Sequence, residues 1–174
     1  NIFDNGFYTD STLTKIGFKK IGKNVKISKS CLIIGVRNIS LGNNIRIDAF
    51  TSIIAKNGYL TLENNIHVGG HGHILCAGGV IIKNYSTLSQ GVRLYSQSDD
   101  YSGKKPTGLF VKNKNSNYVK GKIIIGPYSI LGSGSIVLPN VTISKKVSIG
   151  ALSLVNRDII SPGVYSGIPV KKNK

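Results

Sequence analysis

The sequence has no methionine and no tryptophan, and its 174 residues include three histidines, two cysteines and five prolines. Acidic residues are nearly as scarce, with seven Asp and Glu against 23 Lys and Arg. Each shortage removes a class of protein. Cys31 and Cys76 make neither a CxxC motif nor a disulfide framework, which points to a reducing cytoplasm, near the inner membrane face at most. No apolar run reaches the ~18 residues of a spanning helix, and the longest candidates, such as Cys31-Leu32-Ile33-Ile34, are strand-length. The opening Asn1-Ile2-Phe3-Asp4 lacks the basic and apolar regions of a secretory signal. The missing methionine implies numbering from after a removed initiator. With 40% hydrophobic residues and mean hydropathy of +0.03, the expectation is one soluble intracellular domain with a real core.

The shortage of acids leaves a net charge of +16 and a pI near 10.0. Such a surplus favours an anionic partner: nucleic acid, an anionic membrane face or a phosphorylated small molecule. The lysines are scattered, with pairs at Lys19-Lys20, Lys104-Lys105, Lys145-Lys146 and Lys171-Lys172. No long basic helix, zinc-finger spacing or RRM-like aromatic signature accompanies them, so nucleic acid is not the expected partner.

What the sequence does contain is a repeat. Aliphatic residues recur every six positions in six triplets: Ile21, Ile27, Ile33; Leu41, Ile47, Ile53; Leu62, Val68, Ile74; Ile82, Leu88, Leu94; Ile125, Leu131, Val137; and Ile143, Ile149, Val155. Many are followed by glycine, as at Gly22, Gly42, Gly69, Gly126, Gly132 and Gly150; Ser28, Asp48 and Glu63 take that place elsewhere. A helix buries every 3.6 residues and an amphipathic strand every second one, so a period of six fits neither. It fits short strands joined by tight turns into a triangular coil, each strand sending one large aliphatic inward, with glycine where the turn excludes a Cβ. Coils of that kind bury each other's faces and stack into a solenoid.

This repeat resembles the hexapeptide-repeat acyltransferases, which are left-handed parallel β-helices, over almost the whole chain. The resemblance implies the left hand, an all-β fold, an acyl-CoA co-substrate, and a homotrimer with active sites between neighbouring subunits. The repeat divides the chain into a cap or arm over residues 1–20, where Phe7, Leu13, Ile16 and Phe18 would close the open end. The β-helix follows over 21–157, with one long excursion at about 95–122, and then a C-terminal extension over 158–174. A long interruption in a compact domain is usually functional. Tyr95, Tyr101, Tyr118, Leu109 and Phe110 imply that this one packs on something.

Acyl transfer from a thioester needs a base active near neutral pH, and histidine is the natural choice. His67 and His73 each precede an inward aliphatic, so alternation points both outward, on successive faces of one coil. Arg93 takes the place of His73 one coil later. Together with His71 they lie in seven residues, but on one coil and with no cysteine at ligand spacing, so no metal site is expected. In galactoside- and maltose-acetyltransferase-like proteins the catalytic histidine falls about where Asp99 lies, and this sequence departs from that pattern. The run Tyr95 to Gly103 instead resembles a branch of O-acetyltransferases of surface-polysaccharide sugars, where a histidine matches His67 and, less regularly, His73. His67 or His73 is therefore the expected base, with Asp99 or Asp100 as its partner. The runs Ile130 to Val141, Ile149 to Asp158 and Tyr165 to Val170 resemble the family's cofactor groove. There Gly132, Ser133 and Ala151 would let the pantetheine arm of acetyl-CoA lie against backbone, and Arg157, Lys171 and Lys172 would meet its phosphates. The expected activity is acetyl-CoA-dependent O-acetylation of a sugar hydroxyl in polysaccharide biosynthesis. The alternatives are N-acetylation of an amino-sugar nucleotide and a non-catalytic β-helix scaffold.

Overall fold

Strands of two to four residues, too short to be stable alone, account for the fold, and those of the stack find their partners one coil away rather than nearby in sequence. A computed structural model describes residues 6–106 and 118–173. Three parallel sheets form the faces of a triangular prism. The first runs through Lys20–Ile21, Ile39–Leu41, Leu60–Leu62, Val80–Ile82, Ile123–Ile125 and Thr142–Ile143. The second holds Val25–Ile27, Ile45–Ile47, Ile66–Val68, Thr87–Leu88, Ile130–Leu131, Val147–Ile149 and Gly163–Ser166. The third holds Leu32–Ile34, Ser52–Ile54, His73–Leu75, Arg93–Tyr95, Ile136–Val137 and Leu154–Val155.

The six-residue period is the register of this stack. Ile21, Leu41, Leu62, Ile82, Ile125 and Ile143 pair in one line down the first sheet. Sixteen of the eighteen triplet residues are buried, and Ile21 and Ile33, in the first coil, are partly covered and pack on the core. That end is closed by a helix, α1 (Asp10–Lys15), whose N-cap Thr9 accepts a hydrogen bond from Thr12 N. Leu13 of α1 is fully buried, with Tyr8, Ile16 and Phe18 packed around it.

Glycine beside the inward residue serves close coil-to-coil approach. A Cβ on Gly132 would stand 2.5 Å from Ala151 N and 2.7 Å from Ile149 O. Three of the residues that stand in glycine's place, Ser28, Asp48 and Glu63, carry a side chain that does work. Ser28 Oγ accepts from Ser30 N, Glu63 Oε2 accepts from Asn84 N, and Asp48 accepts from two side chains described below.

The corners carry the left-handed backbone residues. At the corner between the first and second sheets these are Asn24, Asn44, Asn65, Tyr85, Tyr128 and Lys146. The asparagines suit this conformation and their amides form a ladder, Asn24 Nδ2 to Asn44 Oδ1 and Asn44 Nδ2 to Asn65 Oδ1, each 2.9 Å. At the corner between the second and third sheets the residues are Phe50, His71, Gly91, Gly134 and Leu152. Phe50 and His71, at φ 60° and 59°, each hold a conformation that costs an ordinary L-residue about 1–2 kcal/mol.

The excursion at 95–122 is not a plain loop. Its ends form an antiparallel two-stranded ribbon, Gln97–Asp99 against Tyr118–Lys120. Gly121 N donates to Ser96 O at 3.0 Å, so the chain re-enters the stack where it left. Val80–Ile82 then pairs directly with Ile123–Ile125. Leu109 and Phe110 lie outside the described residues. The coil also runs past Arg157: Ile159 bridges Ile143 and Gly163–Ser166 adds a parallel strand to the second sheet. After the cis peptide Ile168–Pro169 the chain reverses, and Lys171–Lys172 pairs antiparallel with Gly163–Ser166. No helix among the described residues is long and apolar enough to cross a membrane.

Candidate active site

His67 lies at the middle of Ile66–Val68, between two inward-facing residues, so it is displayed on the outer surface of the second sheet. In register above it are Arg46 and then Lys26; below it is Thr87. Asp48 follows the inward Ile47 at the edge of that face. His67 Nε2 lies 2.7 Å from Asp48 Oδ2, and Arg46 Nε donates to Asp48 Oδ1 at 2.6 Å. The histidine's carboxylate partner is therefore Asp48 and not an acid of the excursion. An ionised carboxylate only accepts, so Nε2 carries a proton, and in the neutral form of the ring the lone pair is on Nδ1. Nδ1 makes no hydrogen bond among the described residues. The signal that could have found Asp48 was its occupancy of a glycine position in the repeat.

Burial by itself would raise the Asp48 pKa, but the hydrogen bonds from His67 and Arg46, together with their charges, outweigh it and hold the carboxyl below its ordinary 3.8. A lowered folded-state value means the unfolded chain binds more protons, so this pair adds stability that is complete above about pH 3.8 and fades as pH falls through the lower folded value. The Asp48→Asn variant lacks this component. Between pH 5 and pH 2 the urea midpoint of wild type is expected to fall further than that of the variant; parallel declines would show that the pair adds nothing.

His73, at the start of His73–Leu75, faces outward on the third sheet, with Arg93 in register below it. Its ring tilts against Tyr95, centroids 5.5 Å apart. Burial first, and then the charge of Arg93, push its pKa below the ordinary histidine value. It is therefore neutral at neutral pH, without a carboxylate to fix its tautomer. His71 sits at the corner, stacked on Phe50 with centroids 5.1 Å apart. No group of three or more His, Cys, Asp or Glu among the described residues could hold a metal. Burial raises the pKa of the half-buried Cys31 thiol and pushes that of Cys76 up to about 12, away from the reactive thiolate.

Asp99 and Asp100 begin the excursion. Asp99 is exposed and lines a cavity of 600 Å³ between the ribbon and the outer face of the third sheet, with Leu75, Tyr95, Ile136, Leu138 and Leu154 as its apolar floor. Asp100 Oδ1 accepts from Ser102 N. A second cavity, of 440 Å³, opens at the corner between the second and third sheets, where Arg46, Asp48, Phe50 and His71 line it. Gly132, Ser133 and Ala151 lie along that same corner two and three coils further down, with Ser133 and Ala151 exposed. Arg157 Nη2 donates to Val170 O at 3.4 Å, which brings it beside Lys171 and Lys172 at the exit.

No family model matches the chain. A curated relative, dTDP-4-amino-4,6-dideoxy-D-glucose acyltransferase of Escherichia coli, is 40% identical over 159 residues, which is 91% of this chain and 83% of the relative. The chain belongs to the hexapeptide-repeat, left-handed β-helix acyltransferases. AntD, an N-acyltransferase from Bacillus cereus solved with dTDP and 3-hydroxybutyryl-CoA, superposes with a TM-score of 0.92 at 35% identity, covering 98% of this chain and 89% of that one. A maltose O-acetyltransferase from Clostridium difficile shares the fold, with a TM-score of 0.61 at 21% identity over 98% of this chain and 79% of that one. The first relative is named for an amino-sugar nucleotide and AntD for N-acylation, whereas the maltose enzyme is alike in fold alone; these names match the alternative expectation, N-acetylation of an amino-sugar nucleotide, better than O-acetylation.

Proposed function

We propose that this acyltransferase moves an acyl group from coenzyme A to the amino group of a deoxyamino sugar carried on a nucleoside diphosphate. The observation that carries the reading is the His67–Asp48 pair, a tautomer-fixed base beside a nucleotide-sized cavity, in a chain 40% identical to an enzyme named for such a substrate. The sugar amine attacks the thioester carbonyl, so a C–N bond forms as the C–S bond breaks. His67 Nδ1 takes the proton that the nitrogen sheds, and the departing thiolate recovers it from the imidazolium. A backbone N–H stabilises the oxyanion of the tetrahedral intermediate.

The thioester arm is assigned to the 600 Å³ cavity, whose apolar floor suits pantetheine and acyl carbons; it lies on the third sheet and His67 on the second, so the reading requires a neighbouring copy to bring its histidine against this cavity. Its phosphates fall to Arg157, Lys171 and Lys172, and the small residues Gly132, Ser133 and Ala151 leave backbone open along the way. Asp99 is the residue assigned to hold the acceptor. The AntD structures include exchanges at one serine and one aspartate ten positions apart. Ser89 and Asp99 have that separation here. Ser148 and Asp158 do too, but Asp158 Oδ1 already accepts from Thr142 N at 2.7 Å.

Three copies would cover the outer face of the third sheet, where an apolar row runs beside a mixed one: Leu32 is 57% and Ile34 is 40% exposed, Ile54, Leu75 and Ile136 continue the apolar surface, and Ser52, His73 and Arg93 share the face. The test of the reading is the product. Incubated with acyl-CoA and a nucleotide-linked amino sugar, the enzyme is expected to release CoA thiol and yield an adduct stable to mild base, as an amide is. Arg157→Ala is expected to weaken acyl-CoA binding on the order of tenfold by calorimetry. A base-labile product would restore the hydroxyl acceptor, and no acyl-CoA binding at millimolar ligand would leave the scaffold reading.

A further inference from the structure

The residues ahead of the first coil do more than close its end. Gly6 to Tyr8 run antiparallel along the edge of the second sheet: Phe7 bridges Ser28, Tyr8 N donates to Ile27 O at 3.0 Å, and Lys29 N donates to Gly6 O at 3.1 Å. Of the four residues expected to form the cap, Leu13, Ile16 and Phe18 join the core and Phe7 does not. Its ring lies instead on the outer face of the sheet, 37% exposed, with the Arg46 guanidinium 5.3 Å from its centroid.

Arg46 needs such a hold. Its side chain is 56% exposed, and its Nε donates to Asp48 Oδ1 at 2.6 Å. An exposed ion pair usually adds little, because two mobile side chains must be kept in one geometry. A guanidinium over an aromatic face is attracted to the ring, so this one is gripped from two sides. Asp48 in turn holds His67 Nε2 with its other oxygen. The carboxylate therefore divides its charge between a fixed cation and the imidazole. Along the outward column Lys26, Arg46, His67, Thr87 and Ile130, Arg46 is the charge next to His67, and Lys26 stands one strand further off. If Arg46 swings away, the full negative charge of Asp48 faces His67. That favours the imidazolium, which has no lone pair to take a proton.

We propose that Phe7 is a positioning residue for acyl transfer, clamping Arg46 onto Asp48 so that the carboxylate orients the His67 ring without drawing a second proton onto it. The inference rests on His67 as the base and goes beyond that reading by extending the machinery to an arm outside the coils.

The pH profile of kcat tests it, followed by CoA thiol release with acyl-CoA and a nucleotide-linked amino sugar. The acceptor amine titrates alike in every variant, so a difference between variants belongs to the protein. Arg46→Gln is expected to move the acid limb up by about half a pH unit to one unit. Phe7→Ala should move it the same way by about half as much, and so should Phe7→Leu, which keeps an apolar side chain but loses the ring face. Phe7→Tyr keeps that face and should restore the wild-type profile. Because Phe7 acts through Arg46, Phe7→Ala should add nothing to the shift already present in Arg46→Gln. An unmoved limb in both Phe7→Ala and Phe7→Leu overturns the inference, as does an additive shift in the double variant. A raised KM for the acceptor with the limb in place also overturns it and makes Phe7 a substrate contact. His67→Asn separates the two layers. If it is slow while the Phe7 variants keep the wild-type profile, only the clamp fails; if it turns over at the wild-type rate, the base assignment fails and the clamp with it.

Discussion

Replacing His67 with asparagine is expected to slow acyl transfer by about two to four orders of magnitude, the usual contribution of a positioned general base. The ring is held from one side only. Asp48 fixes Nε2–H, Arg46 holds Asp48, and Nδ1 is left facing outward with its lone pair. Acyl-CoA affinity should not change, because His67 is not among the residues lining the cavity proposed for the donor, so the loss belongs in kcat. Asp48→Asn separates chemistry from positioning. It keeps a side chain of the same shape but lets the imidazole turn and change tautomer, so a smaller loss of kcat is expected, together with an altered pH profile. His73→Asn is the control. That ring is neutral and packed against Tyr95, with no carboxylate to orient it, and a loss of less than tenfold is expected. If His67→Asn turns over at the wild-type rate, the base lies elsewhere. If His73→Asn is the more damaging variant, the two histidines have been assigned in the wrong order.

Ile74→Ala should be the most disruptive of the conservative core exchanges. Ile74 is fully buried in the third coil, in register with Ile53 above and Leu94 below. Its truncation leaves a cavity with coils stacked on both sides and little freedom to collapse, and a cost of about 2–5 kcal/mol in urea unfolding is expected. Ile21→Ala, in the partly covered first coil, should cost less. Ile130→Ala, 45% exposed on the outer face of the second sheet, should stay within about 0.5 kcal/mol in the isolated chain. Equal costs at Ile74 and Ile130 would mean that the stack is not held by its inward column.

Those two expectations draw on different kinds of information. The inward column was legible residue by residue, because a period of six is a property of neighbouring residues and a single missed triplet would have shown. The outward direction of His67 and His73 followed from the same alternation, and so did the pairing of Arg93 with His73. The partner of His67 was not legible. Asp48 and His67 are 19 residues apart and meet only because a coil of 21 residues, from Arg46 to His67, brings them to neighbouring strands, whereas Asp99 and Asp100 are the acids that adjoin the long interruption in the repeat. The clue was present, since a carboxylate in a glycine position must have some other reason to be there. The corner rings were hidden for a related reason. Composition marks Phe50 as a hydrophobe and His71 as a turn residue, and only the backbone shows that both occupy left-handed positions one above the other. The ribbon at the foot of the excursion pairs residues across a long insertion, and nothing local announces it.

The manner in which the excursion leaves the stack has a consequence for how such an enzyme changes over time. The chain departs at Ser96 and returns at Gly121, joined by one backbone hydrogen bond, while Gly78 N is held by Ser96 Oγ at 2.9 Å and the next coil follows in register. The coils above and below are therefore indifferent to what is spliced between those two residues. Segments can be lengthened, shortened or exchanged there without renegotiating the core, so the wall over the cavity proposed for the donor is free to diversify under selection for new acyl chains while the rest of the scaffold stays fixed.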